Sequence, residues 1–132
     1  MIGYVTLGTN DRTRSAAFYD AVCAELGAAR MMETEQFIAW GKPGHTGIGL
    51  TTPFDGQPAT VGNGVMVALA ASDRAHVGRI HAVALAQGGT DEGGPGERFP
   101  GFYAAYFRDP DGNKLNAFAM EGAPDATPPQ AG

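Results

Sequence analysis

Apolar residues alternate in two short stretches, Tyr4–Gly8 and Val65–Ala70. Val5 and Leu7 share a side in the first, as do Val67 and Leu69 in the second. A period of two predicts a strand in each place. The spacing then turns helical. Phe18, Val22 and Leu26 follow the first stretch, and Val77, Ile80 and Ala84 follow the second, each set on one helix face. Asn10 and Ser72 stand where an N-cap is wanted, each followed by an aspartate that suits the positive helix end. Gly27 and Gly89 are the expected helix stops.

Beyond each helix the pattern is strand-like again. Phe37–Trp40 and Gly47–Thr51 flank the turn Lys42-Pro43-Gly44, and Phe102–Phe107 and Lys114–Phe118 flank Asp109-Pro110-Asp111-Gly112. Proline presets one turn dihedral and glycine accepts the positive one, so both segments predict hairpins. The two halves form a repeat: residues 4–27 align with 66–89 at an offset of 62, the distance from Tyr4 to Met66. The offset is 67 by Pro43 and Pro110, which implies a short insertion, with Gly93–Gly101 as its expected place and as the most mobile internal loop. Thr52–Asn63 reads as the linker.

At 132 residues the chain has the length of one domain, and its 43% apolar content suffices for a core. The net charge of −5, without a basic run, argues against nucleic acid. No segment approaches the roughly 20 apolar residues of a membrane span. No signal-peptide pattern opens the sequence. A single cysteine, Cys23, excludes an internal disulfide and fits a cytoplasmic location. The Pro-, Ala- and Gly-rich residues 121–132 are expected to form a flexible tail.

Three stretches, YVTLGTNDRTRSAAFYDAVCAELG, GNGVMVALAASDRAHVGRIHAVALAQGG and FYAAYFRDPDGNKLNAF, resemble the glyoxalase/bleomycin-resistance/dioxygenase (vicinal oxygen chelate) superfamily. The resemblance runs from Tyr4 to about Met120. Together with the repeat it implies an α+β fold. Two βαβββ modules, about 1–52 and 64–120, would pair into a curled mixed sheet around a cavity, with helices outside, as one domain over 1–120. It also implies a homodimer. Family enzymes hold a divalent metal with His or Glu at four slots, which fall here on Tyr4, Gly49, Met66 and Asn116. A phenol, no side chain, a thioether and an amide make a poor donor set for such an ion, so neither metal nor other cofactor is expected.

Alternation, together with the resemblance, puts Tyr4, Met66, Phe102, Tyr106, Asn116 and Phe118 on the cavity side as the ligand-binding set. Tyr4 and Tyr106 are the candidate catalytic acids. Trp40 is expected to pack under the helices. His45, His76 and His81 read as solvated surface residues, Cys23 as a buried inert thiol, and Asp109 and Asp111 as turn formers. Arg98 reads as a solvated charge, with an anionic ligand as its other use. Three functions remain open. The first is a metal-free binder of the bleomycin-resistance kind, whose acidic surface would attract cationic small molecules. The second is a metal-dependent glyoxalase/lyase or dioxygenase-type enzyme. The third is a metal-free enzyme with a tyrosine acid/base.

Overall fold

The computed structural model describes residues 1–121. The first module runs β1 (Tyr4–Gly8), α1 (Arg12–Glu25), β2 (Ala29–Glu33), β3 (Phe37–Gly41) and β4 (Gly47–Thr51). The second runs β5 (Val67–Ala70), α2 (Arg74–Ala86), β6 (Thr90–Phe99), β7 (Phe102–Arg108) and β8 (Lys114–Met120). The fold is therefore α+β and built from two βαβββ units. Strand order is β1-β4-β3-β2 in one sheet and β5-β8-β7-β6 in the other. In each, the first strand runs parallel to the last, the helix leads from the first strand to the second, and the remaining pairs are antiparallel. The two sheets are not joined into one ladder.

The shared core explains the repeat. Phe18, Tyr19 and Val22 of α1, and Val77, Ile80 and Ala84 of α2, are fully buried with Trp40, Phe107 and Leu115 from the two sheets. Full burial of each large side chain contributes about 1.5–3 kcal/mol. Phe18 meets Tyr19 edge-on at 4.9 Å, and Tyr19 meets Trp40 at 5.5 Å. Trp40 lies where expected, and its Nε1–H donates to Asp20 at 2.8 Å. Arg30 clasps the same carboxylate with two bonds of 2.9 Å, tying β2 to α1. The Arg30 bonds, helped by Trp40, hold the Asp20 carboxyl below its ordinary range.

Several local expectations are corrected. The N-caps are Asp11 and Asp73, whose side chains accept from the N–H of Arg14 (3.1 Å) and His76 (2.8 Å). Asn10 instead anchors the linker through both side-chain atoms to Ala59, and the Ser72 N–H donates to His76. Gly27 takes the positive φ after α1, but after α2 it is Gly88, not Gly89. The expected mobile loop Gly93–Gly101 is mostly strand: β6 pairs along β7 with three irregularities, so the insertion is absorbed as bulges. The strand β2, all of it exposed, carried no alternation and went unread. Of the tail, only Glu121 lies within the described residues.

His76 and His81 are also not solvated; they are 9% and 8% exposed. His76 bridges the helices: Nδ1 accepts from the Ser72 N–H at 3.0 Å, and Nε2 lies 2.7 Å from the Glu25 carbonyl at the end of α1. His81 Nε2 lies 2.9 Å from Asp91 on β6. His45 sits exposed in its turn, as expected.

The Asp109–Asn113 turn does more than reverse the chain. Asp109 is 2% exposed and accepts four donors: Tyr19 O–H (2.6 Å), the N–H of Asp111 and of Asn113 (each 2.9 Å) and the Asn113 side chain (2.9 Å). Asp111 accepts from the Asn10 N–H at 2.8 Å and from Ser15 O–H. Arg14 and Asn113 add bonds of 3.0 Å to Pro110 and Gly8 carbonyls. The second module's turn is thereby bolted to the start of the first module's helix.

Two predictions follow from this packing. Asp109→Ala strands several buried donors and should cost about 3 kcal/mol or more in urea unfolding, whereas Tyr19→Phe removes one charge-assisted bond and should cost about 1–2 kcal/mol. Equal, small losses would show that the turn is not a clamp. Burial, then the nearby Asp20, pushes the Cys23 thiol up to about 12. Near pH 8 its thiolate should be about a thousandfold scarcer than an ordinary one, so a disulfide reagent should modify Cys23 only in denaturant.

Candidate functional site

The second sheet has two unlike faces. Leu115, Ala117 and Ala119 of β8, with Ala105 and Phe107 of β7, join the helix-side core. Alternation therefore turns Lys114, Asn116 and Phe118, and Phe102 and Tyr106, to the opposite face. Tyr106 stands across from Asn116 in the ladder. Phe102 stacks on Phe118 at 5.8 Å and 18°, and Phe99 continues the stack on Phe102 at 4.7 Å and 4°. Asn116 is 1% exposed, and its Oδ1 is buried without a hydrogen-bond partner. Such an orphan acceptor costs about 1–3 kcal/mol.

Two cations flank the ring of Tyr106: the Arg98 guanidinium at 5.3 Å and Lys114 Nζ at 5.6 Å. Neither forms an ion pair among the described residues. Arg98 donates to the Gly94 carbonyl at 2.7 Å. Its guanidinium occupies space cleared by two glycines: a Cβ at Gly96 would come within 2.9 Å of it, and one at Gly93 within 3.2 Å. Lys114 also lines a cavity of about 480 Å³ with Arg108 and the linker residues Val61–Met66.

The corresponding face of the first sheet is filled differently. The Phe37 ring lies over Gly49, where a Cβ would come within 2.5 Å of it. Tyr4 meets Phe37 edge-on at 6.2 Å and is itself 64% exposed. Neither Tyr4 nor Met66 packs beneath the helices. Phe102, Tyr106, Asn116 and Phe118 thus gather on one face. Tyr4 lies on the other sheet, and Met66, just ahead of β5, is 41% exposed. No Cα of β1 comes within 8 Å of β5. A cavity of about 610 Å³ lies between these edges, lined by Val5, Ile48, Met66, Val67, Cys23 and Leu26 among others.

The slots that the family uses for metal do not fit one here. Phe37 fills the space at Gly49, Tyr4 and Met66 offer a phenol and a thioether, and Asn116 offers one neutral amide oxygen. No group of three His, Cys, Asp or Glu among the described residues is arranged to hold an ion. The reading of the residues missed Phe37 and Phe99, whose placement depends on packing. It also passed over Lys114, which shares the alternation of Asn116 and Phe118 and could have been found.

Among the described residues no helix is long and apolar enough to cross a membrane. The model of the Glyoxalase/Bleomycin resistance protein/Dioxygenase superfamily matches residues 1–117. A glyoxalase/bleomycin resistance protein from Albidiferax ferrireducens T118 is 40% identical, with a TM-score of 0.83 over 89% of this chain and 97% of that one. A family enzyme from Burkholderia phytofirmans PsJN (20% identical, TM-score 0.72, 89% of this chain and 97% of that one) shares the fold. So does a lactoylglutathione lyase from Agrobacterium tumefaciens (23%, 0.67, 89% and 92%). No curated protein matches. With its paired βαβββ modules and this match over nearly its whole length, the chain belongs to the glyoxalase/bleomycin resistance protein/dioxygenase superfamily.

Proposed function

We propose that this chain binds a small molecule without a metal, on the face formed by Phe102, Tyr106, Asn116 and Phe118. The observation that carries the reading is the buried, unpartnered Oδ1 of Asn116 in the middle of an aromatic face. A buried acceptor held beside stacked rings suits a ligand that brings its own donor and covers the site from water. Tyr106 is its neighbour there, and Tyr4 from the first module and Met66 from just ahead of β5 complete the binding set. The protein acts as one domain over residues 1–120 in the cytoplasm.

The reading includes a homodimer. Tyr4, Met66, Ile2 and Val65 are exposed apolar residues beside the edge strands β1 and β5, and each of those strands has one unpaired side. A second copy laid along these edges would cover apolar surface and open backbone together. It would also bring a Tyr4 face against an Asn116 face, which one chain leaves on separate sheets.

Calorimetric titration of zinc, nickel, manganese and iron(II) into untagged protein should show no stoichiometric tight binding. One equivalent of tightly held metal, lost in Asn116→Ala or Tyr4→Phe, would restore the metalloenzyme reading. Light scattering at micromolar concentration should give twice the chain mass, and Tyr4→Glu should shift it toward the monomer. A monomeric parent protein would remove the dimer.

A further inference from the structure

Resting on that reading of the Asn116 face, we infer that its ligand is an aromatic carboxylate carrying a hydrogen-bond donor between its ring and its acid group. Three residues of β8 set the order. Phe118, Asn116 and Lys114 share the face at successive alternate positions, each about 7 Å from the next along the strand. They offer, in turn, a flat ring, a lone acceptor and a cation.

Each element selects one part of the ligand. The rings of Phe99, Phe102 and Phe118 are nearly parallel, with interplanar angles of 4° and 18°, so the stack suits another flat ring. The Asn116 Oδ1 has no donor among the described residues, which suits a ligand that presents an N–H or O–H there. The charge then falls at Tyr106. Arg98 and Lys114 both lie within 6 Å of its ring and are without carboxylate partners among the described residues. The nearest other cation on this face, Arg108, is answered by Glu92 at 3.4 Å. On the helix side Glu97 is paired with Arg74, and Asp91 lies 2.9 Å from His81 Nε2. Thus, in a protein with a net charge of −5, two cations without carboxylate partners among the described residues meet at this spot. An anion there gains from both cations, whereas the cationic ligand suggested by the overall charge would be repelled.

The experiment uses three probes that differ by one group. N-Benzoylglycine has ring, N–H and carboxylate in that order. N-Benzoylglycinamide removes the charge, and the benzoyl ester of glycolic acid removes the N–H. Calorimetry on the full chain should show N-benzoylglycine binding about tenfold or more tightly than either analogue, one contact being worth about a factor of ten. Lys114→Gln, at a half-buried position, and Arg98→Gln, at an exposed one, should each weaken the acid and leave the amide unchanged. Equal binding of acid and amide, or indifference of the acid to both substitutions, would overturn the anionic assignment while leaving a small-molecule site at Asn116 intact. Equal binding of acid and ester would remove the donor. Failure of all three probes to bind overturns the inference as a whole, and the metal titration then still decides the reading beneath it.

Discussion

The burial of one carboxylate organises much of this molecule. Asp109 sits in a β-turn, where an aspartate is ordinarily solvated, yet here it is enclosed and surrounded by four donors. Burying a charge is expensive unless every lone pair is answered, and answering these requires Tyr19 from the other module. The two modules must therefore be in register for the turn to close. Asp111 adds its charge near the start of α1, where the helix dipole favours an anion. Burial, then the charge and hydrogen bond of Asp109, pushes the Tyr19 phenol up, so it remains a donor across any ordinary pH. The equivalent turn of the first module, Lys42 to His45, carries no such carboxylate, so the clamp works in one direction only.

That asymmetry extends to the sheets. Both modules have the same strand order and the same parallel pairing, and Thr6 faces Gly49 as Ala68 faces Asn116. On the first sheet the equivalent position is a glycine, and a phenylalanine ring fills the gap. On the second the side chain remains, buried and unanswered. One copy of the repeat uses this position for packing, and the other holds a polar group there at a cost in stability. A polar group retained in that way is more often explained by what it contacts than by what it supports.

The fold was legible because its signals are local. Val5, Leu7, Val67 and Leu69 mark their strands by period, and the buried helix faces mark theirs. The glycines and prolines mark the turns, and the repeat doubles each signal. The misreadings arose where tertiary pairing outweighed composition. Thr90 to Phe99 is rich in glycine and reads as loop, but β7 offers a complete ladder and the irregular residues are accommodated as bulges. His76 and His81 were misjudged because their partners, the Glu25 carbonyl and Asp91, come from other elements. The site was half legible. Alternation places Asn116 and Phe118 opposite the core residues Leu115 and Ala117, but nothing in a linear pattern says that Phe37 covers Gly49 or that Arg98 and Lys114 converge on one ring.

The glycines of β6 have a further meaning. They resemble low-complexity filler, but the bare backbone at Gly93 and Gly96 is the mould in which the Arg98 guanidinium lies. A methyl group at Gly96 would displace that cation while leaving the core untouched, whereas at Gly93, where φ is +152°, it would also strain the backbone. The position of the Arg98 guanidinium on this face is therefore adjustable by the smallest possible change at Gly96. Two chains with the same architecture could therefore differ in where a cation stands on this face without any change to the cation itself.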